Sequence, residues 1–276
     1  MGRHSLLAVL LLAMAAIPAA PQTYIGFDKN GYPGDDLLPA LHQTFAFTGY
    51  WLNNAPGMSR NPWAGKRSVV RAAGFGFLIL FNGRLDAELK NRDAAALGRQ
   101  DAAAAIAAAQ ADGFPRGAVI FLDQEEGGSL LPDAATYLGT WISTVKHSTY
   151  KSGVYCSGVP VPSGPKMIST AEDIATRFPG TELWIWNDQC PPSPGCVVPR
   201  FELDVVPARG LNMKDSGFPS ALVWQYVRSP LDPETAAGCR PTFAADSKCY
   251  APGLPHSEPT HIDLDASASP DPSHGR

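Results

Sequence analysis

Acidic residues recur where apolar runs stop. Tyr24-Ile25-Gly26-Phe27 ends in Asp28, and Ala118-Val119-Ile120-Phe121-Leu122 breaks into Asp123-Gln124-Glu125-Glu126-Gly127-Gly128. Asp188 follows Glu182-Leu183-Trp184-Ile185-Trp186-Asn187, and Asp263 lies within Thr260-His261-Ile262-Asp263-Leu264-Asp265. An acid at the end of a buried strand stands where the chain leaves the core, which in a parallel α/β fold is the face that carries chemistry. Asp123 and Glu125 are two apart, so on a strand both face one side, while Glu126 faces the other as a loop or cap acid. Two close carboxyls cannot both ionise cheaply, and the one that keeps its proton near neutral pH can act as a general acid. Such a pair can protonate a glycosidic oxygen while neighbouring carboxylates stabilise oxocarbenium charge or orient water. The catalytic candidates are therefore Glu125, Asp123, Asp28 and Asp263.

Aromatics crowd the same run ends: Tyr50, Trp51, Tyr155, Trp184, Trp186, Trp224 and Tyr226. Flat rings there either stack on sugar faces or fill the core. Tyr50, Trp224 and Tyr226, with Asp188, are taken as the substrate-contact candidates. Other chemistries have little support. His42, His147, His256 and His261 form no close helical pair of metal-ligand type, and His261 beside Asp263 is a weak metal pair, so neither metal nor other cofactor is called for. Neither a Gly-x-Ser-x-Gly elbow nor a phosphate-cradling glycine loop is present.

The elements that must position these residues follow from periodicity. Continuous apolar runs near 24–28, 45–51, 74–83, 118–123, 151–156, 182–188, 220–226 and 260–265 read as buried strands. Helical stretches fall near 63–73, 93–111, 133–146 and 167–178; the Ala-rich second of these ends at Gly113 with Pro115 behind it. Eight strands mostly separated by helices predict a single irregular (β/α)8 TIM-type barrel, with loops in place of the last helices. The strand-end acids would then converge on one face. The run Phe201–Val206 is expected to be an excursion from the main sheet.

The chain has 276 residues, 45% hydrophobic and 17% charged, with a formal net charge of −4. That suits one large core and one domain, expected over 21–266. Without a basic patch interleaved with aromatics, electrostatics gives no reason for a nucleic-acid partner. Arg3 and His4 lead into an apolar run ending at Ile17, followed by Pro18-Ala19-Ala20. This is too short to span a bilayer and reads as a cleaved signal peptide over 1–20, giving a secreted or periplasmic protein without stable membrane insertion. Cys190 with Cys196, and Cys239 with Cys249, bracket short loops, so two local disulfides are the economical pairing in an oxidising compartment. Cys156 is left over as a buried, inert thiol. Residues 267–276, rich in Ser, Pro and Asp, read as a disordered tail. A monomer is expected.

Phe27-Asp28, Phe121-Leu122-Asp123-Gln124-Glu125, Leu183-Trp184-Ile185-Trp186, Trp224-Gln225-Tyr226 and Ile262-Asp263-Leu264 occur in the order and style of the lysozyme-like family-25 glycoside hydrolases. Gly26-Phe27-Asp28 with Tyr32-Pro33-Gly34, then Tyr50-Trp51 and the Gly74-Phe75 run, resembles still more the exported glycoside hydrolase-like domains of the DUF1906 (Rv2525c-like) type. The resemblance covers most of Tyr24 to Asp265. It implies Glu125 as general acid, Asp123 as its acidic partner, Asp28 and Asp263 lining the cleft at the cleaved bond, and the N-acetylmuramyl linkage of peptidoglycan as substrate. The expectation is an exported hydrolase of a cell-wall polysaccharide such as peptidoglycan; the alternative is a weakly catalytic or non-catalytic barrel that binds wall glycan.

Overall fold

The computed structural model describes residues 22–187, 213–227 and 262–276. In chain order its first half runs β1 (Tyr24–Asp28), α1 (Leu38–His42), β2 (Phe47–Trp51), α2 (Arg67–Ala72), β3 (Gly76–Asn82), α3 (Asp86–Leu89), α4 (Ala94–Ala111) and β4 (Val119–Asp123). The second half runs α5 (Pro132–Lys146), β5 (Lys151–Ser157), β6 (Val161–Ser163), β7 (Lys166–Ile168), α6 (Thr170–Arg177), β8 (Glu182–Trp186), β9 (Val223–Val227) and β10 (Asp263–Ser267). A closed barrel is formed in the order β1-β10-β9-β8-β5-β4-β3-β2, while β6 and β7 make a separate hairpin. The predicted α/β barrel is thus the observed fold.

The barrel has one irregularity that periodicity does not announce. From β1 through β9 the barrel neighbours are parallel, but β10 runs antiparallel to both β9 and β1. Asp263 is therefore the first residue of its strand and not its last. Reversal brings the start of β10 to the face where the other strands end, so Asp263 still meets Asp28, its register partner. The hairpin takes the first residues of the predicted helix over 167–178, and α6 begins at Thr170 behind a Ser169–Glu172 capping box.

Local chemistry explains the long helices. Asp93 caps α4 through the Ala96 N–H at 2.9 Å, and Gly113 follows its end at φ +75°. Gly98 lets α4 approach α5: a Cβ there would lie 2.5 Å from the Tyr137 carbonyl oxygen. Leu131 and Pro132 open α5, Pro occupying the first turn where no N–H is needed. Between the helices and β3, Asp101 accepts both Arg84 Nε at 2.6 Å and the Tyr137 hydroxyl at 2.9 Å.

Strand registers carry one face around the lumen. Asn82, Asp123, Tyr155 and Trp184 are successive partners across β3, β4, β5 and β8, and Gln225, Asp265 and Gly26 are partners across β9, β10 and β1. Side chains of aligned partners point the same way, so these residues share the inside. Phe121, below Asp123 on β4, packs edge-on against Trp184 at 5.8 Å in the lumen. Gly49 is required opposite Asp28, whose Cβ would lie 2.7 Å from any Cβ at position 49.

Of residues 267–276, expected to be disordered, Ser267 ends β10 and the rest are docked across the opposite, N-terminal end of the barrel. Asp271 Oδ1 accepts the Phe77 N–H at 2.9 Å, Ser273 Oγ accepts the Ile79 N–H at 2.9 Å, and the Ser273 carbonyl accepts the Val119 N–H at 2.9 Å. Arg67 donates through Nη2 to the Gly275 carbonyl at 2.8 Å. Ser and Asp residues that read as disorder are here partners for backbone groups at strand starts, and the folded unit runs on to Arg276. The signal segment 1–20, Asp188, Cys190, Cys196, Phe201–Val206, Cys239 and Cys249 lie outside the described residues. Cys156 is a buried free thiol whose pKa burial pushes up, as an inert core cysteine requires.

Candidate active site

At the end of the barrel where the parallel strands finish, a cavity of about 130 Å³ opens to solvent. Asp28, Asp123, Glu125 and Asp263 all line it, so the four catalytic candidates are brought together. Each arrives by a different route. Asp28 and Asp123 are the last residues of β1 and β4, and Asp263 is the first of β10. Glu125 lies beyond β4 in the loop, so strand alternation does not set its direction. Instead the loop is fixed by its neighbours: Glu126 accepts the Asp86 N–H at 2.6 Å and the Gln124 amide at 3.1 Å. Glu126 is accordingly a structural acid that ties this loop to the start of α3.

Burial divides the acids. Asp123 is 3% exposed, and neither of its carboxyl oxygens has a hydrogen-bond partner. Glu125, by contrast, is exposed at the mouth. Desolvation first, then the charges of Glu125, Asp28 and Glu126, hold Asp123 well above the usual carboxylate range and favour its neutral form. Burial pushes Asp28 up from 3.8 to about 6; hydrogen bonds with Gln225 and Asp265 pull it down, and the charge of Glu125 adds to the rise.

Gln225 organises the other side. Its Nε2 donates to Asp28 Oδ2 at 2.8 Å and, more weakly, to Asp263 Oδ2 at 3.4 Å, and its Oε1 accepts the Tyr155 hydroxyl at 2.7 Å. These partners fix the amide orientation: nitrogen towards the acids, oxygen towards the phenol. Burial raises the Tyr155 pKa, keeping its hydroxyl a donor. One layer down, Asp265 is fully buried; its Oδ1 accepts Trp184 Nε1 at 3.0 Å. Burial, with the charges of Asp28 and Asp263, raises Asp265 well above the usual range and favours its neutral form.

The substrate-contact candidates fare differently. Tyr50 is fully buried on the outer face of β2, donates to Asp112 Oδ2 at 2.9 Å and packs edge-on against Trp63 and Phe114. Trp224 donates to the Asn187 carbonyl at 2.8 Å and packs against Tyr226 at 5.8 Å. None of the three lines the cavity. Alternation places Trp51 and Gln225, one residue away, on the inside. Asp188 lies outside the described residues. Lining residues not taken as contacts from the sequence include Asn30, Trp51, Tyr155, Trp184 and Gln225, with Asp265 beneath. Counting by twos from Asp263 reaches Asp265, and the polar Gln225 between two aromatics is the matching signal on β9.

Among the described residues, no group of three or more His, Cys, Asp or Glu side chains is arranged to hold a metal ion, and no helix is long and apolar enough to cross a membrane.

Comparison with known proteins follows the same lines. The protein-family model described as "Rv2525c-like, glycoside hydrolase-like domain" matches residues 45–191. The chain is similar in structure to an uncharacterized B. stearothermophilus protein, with TM-score 0.53 and 18% identity over 88% of this chain and 94% of that one. The Tat-secreted protein Rv2525c of Mycobacterium tuberculosis, in complex with L-tartrate, gives 0.52 and 12% over 89% and 95%. A family 25 glycosyl hydrolase from Bacillus anthracis gives 0.53 and 14% over 89% of each. At these identities the likeness is one of fold. No curated protein matches the chain by sequence.

Proposed function

The chain belongs to the Rv2525c-like, glycoside hydrolase-like family, and from that premise we propose that it is an exported hydrolase of a cell-wall glycan such as peptidoglycan, with Glu125 as general acid. The observation that carries this reading is the convergence of Asp28, Asp123, Glu125 and Asp263 on one open cavity.

Asp123 lies on the buried floor and Glu125 at the exposed mouth. Glu125 is therefore the carboxyl of the pair that a bound glycan reaches. Glu125 gives a proton to the glycosidic oxygen as the bond from the anomeric carbon breaks. Asp28 and Asp263, kept as acceptors by Gln225, stabilise the oxocarbenium charge. Water then adds to the anomeric carbon, and its released proton restores the acid, so the cycle balances. Trp51 and Trp184 line the wall of this cavity.

Release of reducing ends from peptidoglycan by the unmodified chain and by Glu125→Gln tests the proposal. The variant should lose about a hundredfold or more in rate, the scale of a general acid. Equal rates would remove Glu125 from the mechanism. Export is tested by sequencing the N-terminus of the protein recovered outside the cytoplasm, which should begin beyond Ala20.

A further inference from the structure

The sequence contains two Asn-Gly pairs, Asn30-Gly31 and Asn82-Gly83. A glycine nitrogen has no neighbouring side chain to hinder it, so it can close on the Cγ of the asparagine before it, which makes such a pair labile wherever the backbone is free to bend. The two pairs differ in that freedom. Asn82 ends β3 and is held on three sides: its N–H donates to Asn53 Oδ1 at 2.7 Å, its Nδ2 to the Asn54 carbonyl at 2.9 Å, and its carbonyl accepts Asn53 Nδ2 at 3.0 Å. Gly83 is pressed against β4, where a Cβ would collide with the Asp123 carbonyl oxygen.

Asn30 and Gly31 lie on an exposed bend just beyond β1. The Gly31 N–H makes no hydrogen bond among the described residues, and no described atom lies within 4 Å of where its Cβ would be. Asn30 has one side-chain tie, Nδ2 to the Pro56 carbonyl at 2.9 Å, an exposed bond for which water competes. Its carbonyl is differently placed: fully buried Trp63 donates Nε1 to it at 3.2 Å. That oxygen belongs to the same peptide group as the Gly31 nitrogen. When the nitrogen loses its proton to become a nucleophile, the charge spreads onto the oxygen, where the indole N–H already waits. Asn30 also lines the cavity that holds Asp28, Asp123, Glu125 and Asp263.

We propose that Asn30 is a deamidation site in the wall of the cleft, converted in the folded chain to aspartate and isoaspartate while Asn82 is protected. The Gly31 nitrogen, its proton lost to solvent base, bonds to Asn30 Cγ; the Cγ–Nδ2 bond breaks, and Nδ2 leaves as ammonia with a proton taken from solvent. Water then adds to the resulting succinimide. Opening at Cγ gives aspartate, and opening at the main-chain carbonyl gives isoaspartate. One water enters, one ammonia leaves, and nothing is oxidised or reduced. Either product exchanges the donor to Pro56 for a carboxylate and adds negative charge to an acidic wall. The inference does not rest on the cleft being a hydrolase site.

Incubation of the full purified chain in mildly alkaline buffer, with peptide mass spectrometry at successive times, reads both pairs in one sample. In the folded chain the peptide containing Asn30 should become heavier by one mass unit and separate into two products of equal mass, at least about tenfold faster than the peptide containing Asn82, whose reaction must wait for β3 to open. In urea the two peptides should react at similar rates. Gly31 is not in the left-handed region and has open space at its Cβ position, so Gly31→Ala should fold with an unchanged melting temperature and slow the conversion of Asn30 by about tenfold or more. Asn30 still intact in the folded chain when the urea-unfolded chain has fully reacted, equal rates at the two pairs in the folded chain, or a folded Gly31→Ala variant that reacts as fast as the parent would each overturn the proposal.

Discussion

Asp28 and Asp263 are direct register partners across the antiparallel pair β1 and β10, so two carboxyls stand opposite one another at the mouth of the barrel. Like charges in that position repel. Both accept from one amide nitrogen, Gln225 Nε2, at 2.8 Å from Asp28 and 3.4 Å from Asp263, which is anchored through its oxygen by Tyr155.

Gln225→Leu should therefore be destabilising although its volume is nearly kept. It strips the donor from both acids and leaves the Tyr155 hydroxyl without its acceptor, losses of about 1–3 kcal/mol each for buried groups. Urea unfolding at about pH 7.5 should show a clear fall in midpoint; at about pH 4.5, where the acids approach neutrality, the loss should be smaller. A loss independent of pH would show that packing, and not charge, is what Gln225 supplies.

The pH dependence of stability has a definite sign. Asp28 is raised from 3.8 to about 6, so the native state holds the proton more tightly than the unfolded chain does. Its contribution is fully present below 3.8 and is lost as pH rises through about 6. That displacement corresponds to about 3 kcal/mol. Asp28→Asn keeps the shape, removes the buried charge and should raise the melting temperature at about pH 7.5 while lowering hydrolysis. A variant less stable than the parent at that pH would refute a desolvated, costly Asp28 carboxylate. In the unmodified chain, hydrolysis should fall on acidification through about 6 as Asp28 loses its charge.

Much of this site was legible because strand-end acids announce themselves: Asp28 and Asp123 each follow an apolar run and each reaches the cavity. Parity was harder to read. In Trp224-Gln225-Tyr226 the aromatics look like the ligand contacts, yet they are buried outside the sheet, and the registers of β9 with β8 and β10 fix Gln225 inward. Strand direction has no periodicity signal either, so the reversal of β10 could not be read from Ile262-Asp263-Leu264. The C-terminal tail was misread for a related reason. Ser, Asp and Gly are the residues of a solvated coil and equally of a segment that caps backbone groups, and composition does not separate the two.

Ser273 tests that last point. Its Oγ is the acceptor for the buried Ile79 N–H at 2.9 Å, so Ser273→Ala leaves that donor unpaired and should cost about 1–3 kcal/mol of unfolding free energy. Because the tail closes the end opposite the cleft, ligand affinity measured on the folded variant should be unchanged. An unaltered unfolding midpoint would mean the tail adds no stability to the barrel.

Glu126 provides the sharpest separation of positioning from chemistry. It is adjacent to Glu125, but its carboxylate is engaged by the Asp86 N–H at 2.6 Å and by Gln124 at 3.1 Å, and Thr170 Oγ1 donates to its carbonyl at 3.4 Å. Glu126→Ala releases the loop from α3, and misplacement of Glu125 should lower kcat by about tenfold or more with KM nearly unchanged, since an acid out of line is lost mainly in the transition state. Glu126→Gln retains an oxygen for the Asp86 N–H and should recover most of the rate. If Glu126 were itself the proton donor, the Gln variant would be as inactive as Ala, because an amide can hold the loop but cannot give up the proton.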